Sequence, residues 1–263
     1  MPAAGKKYFM VGSLEKGIQV IELLAEKEPL SVSKVAMELG INRSASHRFL
    51  ATLRELGYVE KNEEGKYRLT FRLLEEAMKS LDRFEIRRTA RPFLQRLSVL
   101  TRETVNLGFW DGQSIIHLDK IDSQNILRMD SRIGSRAEAY CTALGKTILA
   151  WLPEEQLAAY LEAAVFEPHG PNTLEGPAEL RVNLLDIRNK GYAVDDEEMA
   201  PGLRCLAAPV FDFTGYPRYA LSISGPATRV DFNVIRAVEK DLRQTCEELS
   251  ALLGKPGQTK RNS

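Results

Sequence analysis

The chain has 263 residues, enough for two domains of ordinary size, and a composition (44% hydrophobic, 27% charged) typical of a soluble globular protein. Its formal net charge is +0, which is poor evidence for a nucleic-acid partner. No apolar run approaches the ~18 residues of a membrane span, and Lys146 breaks the most apolar stretch, 143–152. Residues 1–7 lack the pattern of a secretory signal, and Cys141, Cys205 and Cys246 form no CxxC pair. A cytoplasmic protein without membrane, disulfide framework or zinc ribbon is expected. Residues 1–70 are slightly basic, eleven Lys and Arg against nine Glu, and 43–56 carries Arg43, Arg48 and Arg54 against Glu55 alone.

Ser13 is a good N-cap, and Leu14, Ile18, Ile21 and Leu24 follow at helical spacing, so a helix is predicted over 14–27, ended by Pro29. Ser31 caps a short second helix carrying Val35, Ala36 and Leu39. Gly40 then stands where a left-handed turn needs a residue without Cβ. Ile41 plugs the core and Asn42 caps a third helix, 43–56, with Phe49, Leu50, Leu53 and Leu56 as its buried stripe and Gly57 as its end. Two helices joined by a tight glycine turn, with small Ala36 four positions before Gly40, describe a helix-turn-helix. The short alternating runs 58–61 and 66–69 around Asn62–Gly65 add a β-hairpin wing.

The exposed face of the third helix suits DNA. Asn42 at its cap, then Arg43, Ser44, Ala45, His47, Arg48 and Thr52, are free of core duty and fit base edges or phosphate in a major groove. His47 by itself reads equally well as a surface histidine. Lys66 and Arg68 on the wing suit phosphate rather than bases.

Residues 13–17 (SLEKG), 42–53 (NRSASHRFLATL) and 56–59 (LGYV) resemble the IclR family of bacterial transcriptional regulators. A second match lies far downstream: Gly191, Asp195, Glu198, Cys205-Leu206-Ala207 and Val210-Phe211-Asp212 stand at the spacing of that family's effector-domain signature. The resemblance covers residues 8–253. Ser46 departs from it, replacing the usual apolar residue, and is expected to weaken packing of the third helix.

Residues 71–85 are predicted as a charged linker helix, with Leu73, Leu74, Ala77, Met78 and Leu81 offering a dimerisation face. Helix continues over 86–100. A hairpin follows, 104–110 with 114–121 around Asp111-Gly112, and then a third strand over 125–130. Helices are predicted at 143–152, 154–163, 178–190 and 231–253, strands at 204–212 and 218–224. The fold class is α+β. The domains are a winged helix-turn-helix at 8–70, the linker at 71–85, an effector domain at 86–254 and a disordered tail at 255–263. For the effector domain the resemblance implies a curved antiparallel sheet with flanking helices, holding a small organic acid.

Cys141–Lys146 opens a helix whose free N–H groups favour an anion, and Ser222 and Ser224 share one strand face. The resemblance implies effector contacts at Ala143, Leu144, Asp195, Cys205, Ser222 and Ser224, with Ile126, Ala137 and Tyr140 as wall. Taken alone, Cys205 reads as a buried thiol and the two serines as an ordinary strand face. Residues 118–123, 127–129, 131–134 and 202–205 are similar to the branch of the family sensing 2-keto-3-deoxygluconate, whereas 134–136 and 139–142 are similar to branches controlling aromatic-acid catabolism. A sugar acid is the favoured effector. The function expected is a ligand-responsive regulator, a repressor by preference, binding a palindromic operator as a dimer or tetramer without cofactor. An enzyme with Cys141 or Cys205 as nucleophile and His117 as base is disfavoured, because Ile223-Ser224-Gly225 lacks the earlier glycine of a nucleophile elbow. His117 and His169 are isolated in the sequence, so no metal site is expected.

Overall fold

A computed structural model describes residues 11–76 and 85–255, which form two compact units divided between Phe84 and Glu85. The expectations for residues 8–10, for Ala77, Met78 and Leu81 in the linker, and for 256–263 in the tail lie outside the described residues. Residues 72–76 are helical.

In the N-terminal unit, α1 (Gly12–Lys27), α2 (Val32–Glu38) and α3 (Arg43–Glu55) precede β1 (Val59–Lys61) and β2 (Tyr67–Leu69). Ser13 is not the cap of α1: Val11 occupies that position and makes no side-chain bond, so the helix starts at Gly12, two residues early. The other caps form as expected. Ser31 Oγ accepts from the Lys34 N–H, Asn42 Oδ1 accepts from the Ala45 N–H at 2.7 Å, and Gly40 turns the chain at φ +62°. Val20, Leu24, Val35, Leu50, Val59 and Tyr67 close one core under the helices and the wing. Leu56 does not join it. It lies past the last turn of α3 and is exposed on the rim of an apolar groove between α1 and α3. Ser46 takes a core position instead, fully buried, with its hydroxyl donating to the Val32 carbonyl at 2.9 Å. Far from loosening α3, it ties α3 to the start of α2.

The C-terminal unit comprises α4 (Glu85–Thr101), β3 (Thr104–Trp110), β4 (Ile115–Ile121), β5 (Arg136–Ala137), α5 (Ala143–Leu149), α6 (Glu154–Ala163), α7 (Pro177–Lys190), β6 (Ala193–Asp196), β7 (Leu203–Phe211), β8 (Pro217–Pro226) and α8 (Phe232–Leu252). Its strands form one curved antiparallel sheet ordered β5-β4-β3-β8-β7-β6. Helices α4 and α8 pack on each other and on the sheet, and α5 packs across β6, β7, β8 and β3. Because side chains alternate, Asn106, Gly108, Cys205, Ala207, Ala220, Ser222 and Ser224 share the face toward α5. Helix α5 stops at Leu149, short of residue 152.

No strand forms over 125–130. Side-chain bonds to backbone hold that stretch as a loop: Ser123 Oγ donates to the Arg102 carbonyl at 2.7 Å, and Arg229 reaches the Leu127 carbonyl at 2.8 Å. The edge of β4 is paired instead by β5, through Ile115↔Ala137 and Ile116↔Arg136. None of the described helices is long and apolar enough to cross a membrane.

Candidate functional site

Two separate sites emerge, one in each unit. On α3, Asn42, Arg43, Ser44, His47, Arg48 and Thr52 are exposed and Ala45 is half-buried. The cap fixes the pitch of this face, since Asn42 spends its carbonyl on the Ala45 N–H and keeps its amide hydrogens free. No acid stands in the first turn of α3, so the positive end of the helix is unopposed. Arg43 and Arg48 make no ion pair with any described residue, whereas the wing cations are engaged: Lys66 with Glu64 at 2.7 Å and Arg68 with Glu60 at 2.6 Å. The wing would exchange those exposed partners for phosphate at little cost.

In the C-terminal unit a cavity of about 270 Å³ lies between the small-residue face of the sheet, α5 and the 129–136 loop. Among the residues the resemblance singled out, Ala137, Ala143, Leu144, Asp195, Cys205, Ser222 and Ser224 all line it. Ile126 and Tyr140 do not. Ile126 is fully exposed on the loop that replaces the expected strand. Tyr140 is buried, but its hydroxyl is spent on the Glu167 backbone, donating to O at 2.8 Å and accepting from N at 3.0 Å. It lines a neighbouring cleft with Trp110 and Tyr160. Sequence reasoning missed Asn106, His117, Ser131 and Arg132, which also line the cavity.

Asn106 organises the sheet side. Its amide nitrogen donates to Ser222 Oγ at 3.3 Å and Ser224 Oγ at 3.4 Å, and its Oδ1 accepts from Ser131 Oγ at 2.6 Å. The two hydroxyls also lie 3.4 Å apart, so one donates to the other and the remaining hydroxyl hydrogen is left to donate to a guest. Asp195 is wholly buried. Its Oδ1 accepts from the Glu198 and Met199 N–H groups at 2.8 and 3.2 Å, a reach made possible by the left-handed turn at Glu197, φ +58°. Its Oδ2 has no hydrogen-bond partner. Burial pushes the Asp195 carboxyl up to about 6, against the pull of those backbone bonds and of Lys146.

Behind Asp195, the fully buried Lys146 ammonium donates to the Val194 carbonyl at 2.8 Å and pairs with Glu198. Burial raises the Glu198 carboxyl and Lys146 opposes that rise. Cys205, packed beside Asp195, is held well above the usual thiol range by burial, so it is a poor nucleophile. Cys141 is likewise pushed up to about 12 by burial and the Asp195 and Glu198 charges. The described residues contain no His, Cys, Asp or Glu grouping able to hold a metal.

The family description "IclR helix-turn-helix domain" matches residues 13–63, and "Bacterial transcriptional regulator IclR C-terminal" matches 78–251. The chain belongs to the IclR family. It is 35% identical to the HTH-type transcriptional regulator KdgR of Escherichia coli over 93% of both chains. Identity to the KdgR of Dickeya chrysanthemi is 39%, over 83% of this chain and 72% of that one. The crystal structure of the Thermotoga maritima IclR superposes with a TM-score of 0.81 at 34% identity, covering 93% of this chain and all of that one. The chain is therefore an IclR-type DNA-binding transcriptional regulator, and this family and these relatives are regulators rather than enzymes. Its IclR helix-turn-helix domain implies DNA as a partner and its IclR C-terminal domain implies a small-molecule effector.

Proposed function

We propose that this regulator represses a catabolic operon and is released from a palindromic operator by a small hydroxylated acid, a sugar acid such as 2-keto-3-deoxygluconate. The reading rests on the chemistry of the 270 Å³ cavity. Its sheet wall offers the free Asp195 Oδ2 as an acceptor and the linked Ser222 and Ser224 hydroxyls as a donor, which suits a chain of hydroxyl groups. Arg132 adds a positive charge to its loop wall for a carboxylate, Arg136 being paired with Asp111, and Ala143 and Leu144 line the wall at the start of α5. The alternative effector, an aromatic acid, draws less support, since no Phe, Tyr or Trp is among the cavity's lining residues.

On the DNA side, α3 enters the major groove with Asn42, Arg43, Ser44, Ala45, His47, Arg48 and Thr52 facing the bases and backbone, and Lys66 and Arg68 on the wing meet phosphate. Two copies read half-sites about one helical turn, roughly 34 Å, apart. Acid binding favours one of two arrangements of the dimer and so changes operator affinity. The test is a footprint on the DNA upstream of the protein's own gene. Paired protected half-sites that disappear when 2-keto-3-deoxygluconate is added support the reading; a footprint unmoved by sugar acids overturns the effector class.

A further inference from the structure

The cavity contains a polar group outside the effector contacts expected from the sequence, the imidazole of His117. The side chain is only 5% exposed, lines the cavity, and has a buried Nδ1 with no hydrogen-bond partner. Buried polar atoms are nearly always paired, and one left open on a cavity wall is accounted for if a guest supplies the partner.

A register shift puts the ring there. Strands β3 and β4 pair Leu107 with Asp119, but the next pair is Gly108 with His117, leaving Leu118 as the extra residue of a bulge. An unbroken register would have set Leu118 opposite Gly108 and turned His117 to the other face. Main-chain bonds hold the shifted strand in place: the His117 N–H donates to the Ser135 carbonyl at 3.0 Å, and the Gly134 N–H donates to the His117 carbonyl at 2.8 Å. The loop so attached carries Ser131, Arg132 and Ser135, which line the same cavity. His117 therefore sits where the sheet wall meets the loop wall.

We propose that His117 is a specificity-determining effector contact, a neutral hydrogen-bond partner for a hydroxyl of the bound acid. The charged groups around the cavity agree with a neutral ring. Arg132 and Arg136 face Asp130 and Asp195 across the lining, Arg136 being paired with Asp111 and Lys120 with Asp122, and burial with the Lys120 charge brings the imidazole down to about 4. A neutral imidazole pairs through one donor and one acceptor nitrogen, which fits a hydroxyl better than a carboxylate. With Asp195 on β6 and His117 on β4, the cavity reads hydroxyl groups from opposite ends of one sheet face.

This inference rests on the cavity being the effector site, and the experiment separates the two. Isothermal titration of the full-length protein with 2-keto-3-deoxygluconate and with 2-oxohexanoate, a six-carbon keto acid without hydroxyls, is carried out on wild type, His117→Phe and His117→Gln. Phenylalanine keeps the ring's shape and removes its polar atoms, so Tm should hold while affinity for the hydroxylated acid falls about tenfold and affinity for 2-oxohexanoate does not. Glutamine, which restores a donor and an acceptor, should recover most of the loss. Wild-type selectivity in His117→Phe overturns the proposal. If wild type binds 4-hydroxybenzoate and neither aliphatic acid, the sugar-acid reading fails. The role of His117 is then read from the ratio of 4-hydroxybenzoate to benzoate in the same variants, where an unchanged ratio again overturns it.

Discussion

Replacing Asp195 by asparagine should make the C-terminal unit more stable and less able to answer its effector. Asp195 is fully buried, and its carboxyl rises from an ordinary 3.8 to about 6 because burial outweighs the two N–H groups bonded to Oδ1. The folded protein thus binds a proton that the unfolded chain has already released between about pH 4 and pH 6. Stability falls as pH rises through that window and then levels off, with a total loss of about 3 kcal/mol. Asparagine cannot ionise, and its Oδ1 keeps both backbone bonds. Its amide nitrogen takes the place of the unpartnered Oδ2 beside the Cys205 thiol, at a cost of about 1–2 kcal/mol. A net gain of about 1–2 kcal/mol is expected at pH 8, worth roughly 2–8 °C in Tm, shrinking to nothing or reversing near pH 4. Urea unfolding from pH 4 to pH 8, followed by the fluorescence of Trp110 and Trp151, reads this unit alone because both tryptophans lie in it. Parallel pH profiles for wild type and Asp195→Asn would refute the reasoning. Effector affinity should fall at least tenfold, since a donor now points where a guest hydroxyl needs an acceptor.

Three other substitutions probe different joints of the molecule. Arg43→Ala should weaken operator binding by about 1–3 kcal/mol and leave the effector titration unchanged; an unaltered footprint would remove Arg43 from the reading face. Ser46→Ala breaks the bond to the Val32 carbonyl and should cost the N-terminal unit about 1 kcal/mol in chemical denaturation followed by circular dichroism, against no loss if the hydroxyl is idle. Gly145→Ala should lower stability by about 3 kcal/mol or more, because a Cβ there would lie 2.2 Å from Ala139 Cα and backbone cannot yield as a side chain can. A wild-type Tm in Gly145→Ala would contradict that close approach.

What the sequence made legible follows from how local each signal is. Ser31, Gly40 and Asn42 act within one turn of chain, so the second and third helices and the turn between them could be placed from their residues alone. Ser13 misled because a good capping residue is no better than its position: the helix runs past it to Gly12, and the cap falls on Val11, two residues earlier. The 125–130 strand failed for a non-local reason, since Arg102, Arg229 and β5 decide its backbone partners from elsewhere in the chain. His117 was hidden by the bulge, which no alternation pattern announces, and Ile126 and Tyr140 by loops whose course the sequence does not encode locally.

A cavity next to a packed helix requires side-chain volume to be missing from the sheet, and here the missing volume lies in register. Ala193↔Ala207↔Ser222↔Asn106 and Asp195↔Cys205↔Ser224 cross the strands as rows of small or short polar residues, and Gly108 admits Leu144 where any Cβ would come within 3.0–3.2 Å of its neighbours. The same rows that leave room for a guest also bring Lys146 over β6, where Glu198 holds it. Under the proposed reading, binding in the cavity would act on the start of α5 and on the turn at 195–199, which share the Asp195–Glu198–Lys146 network. An effector hydroxyl donating to Asp195 Oδ2 would favour the ionised carboxylate beside Lys146, so α5 and the 195–199 turn are the elements we propose to carry occupancy.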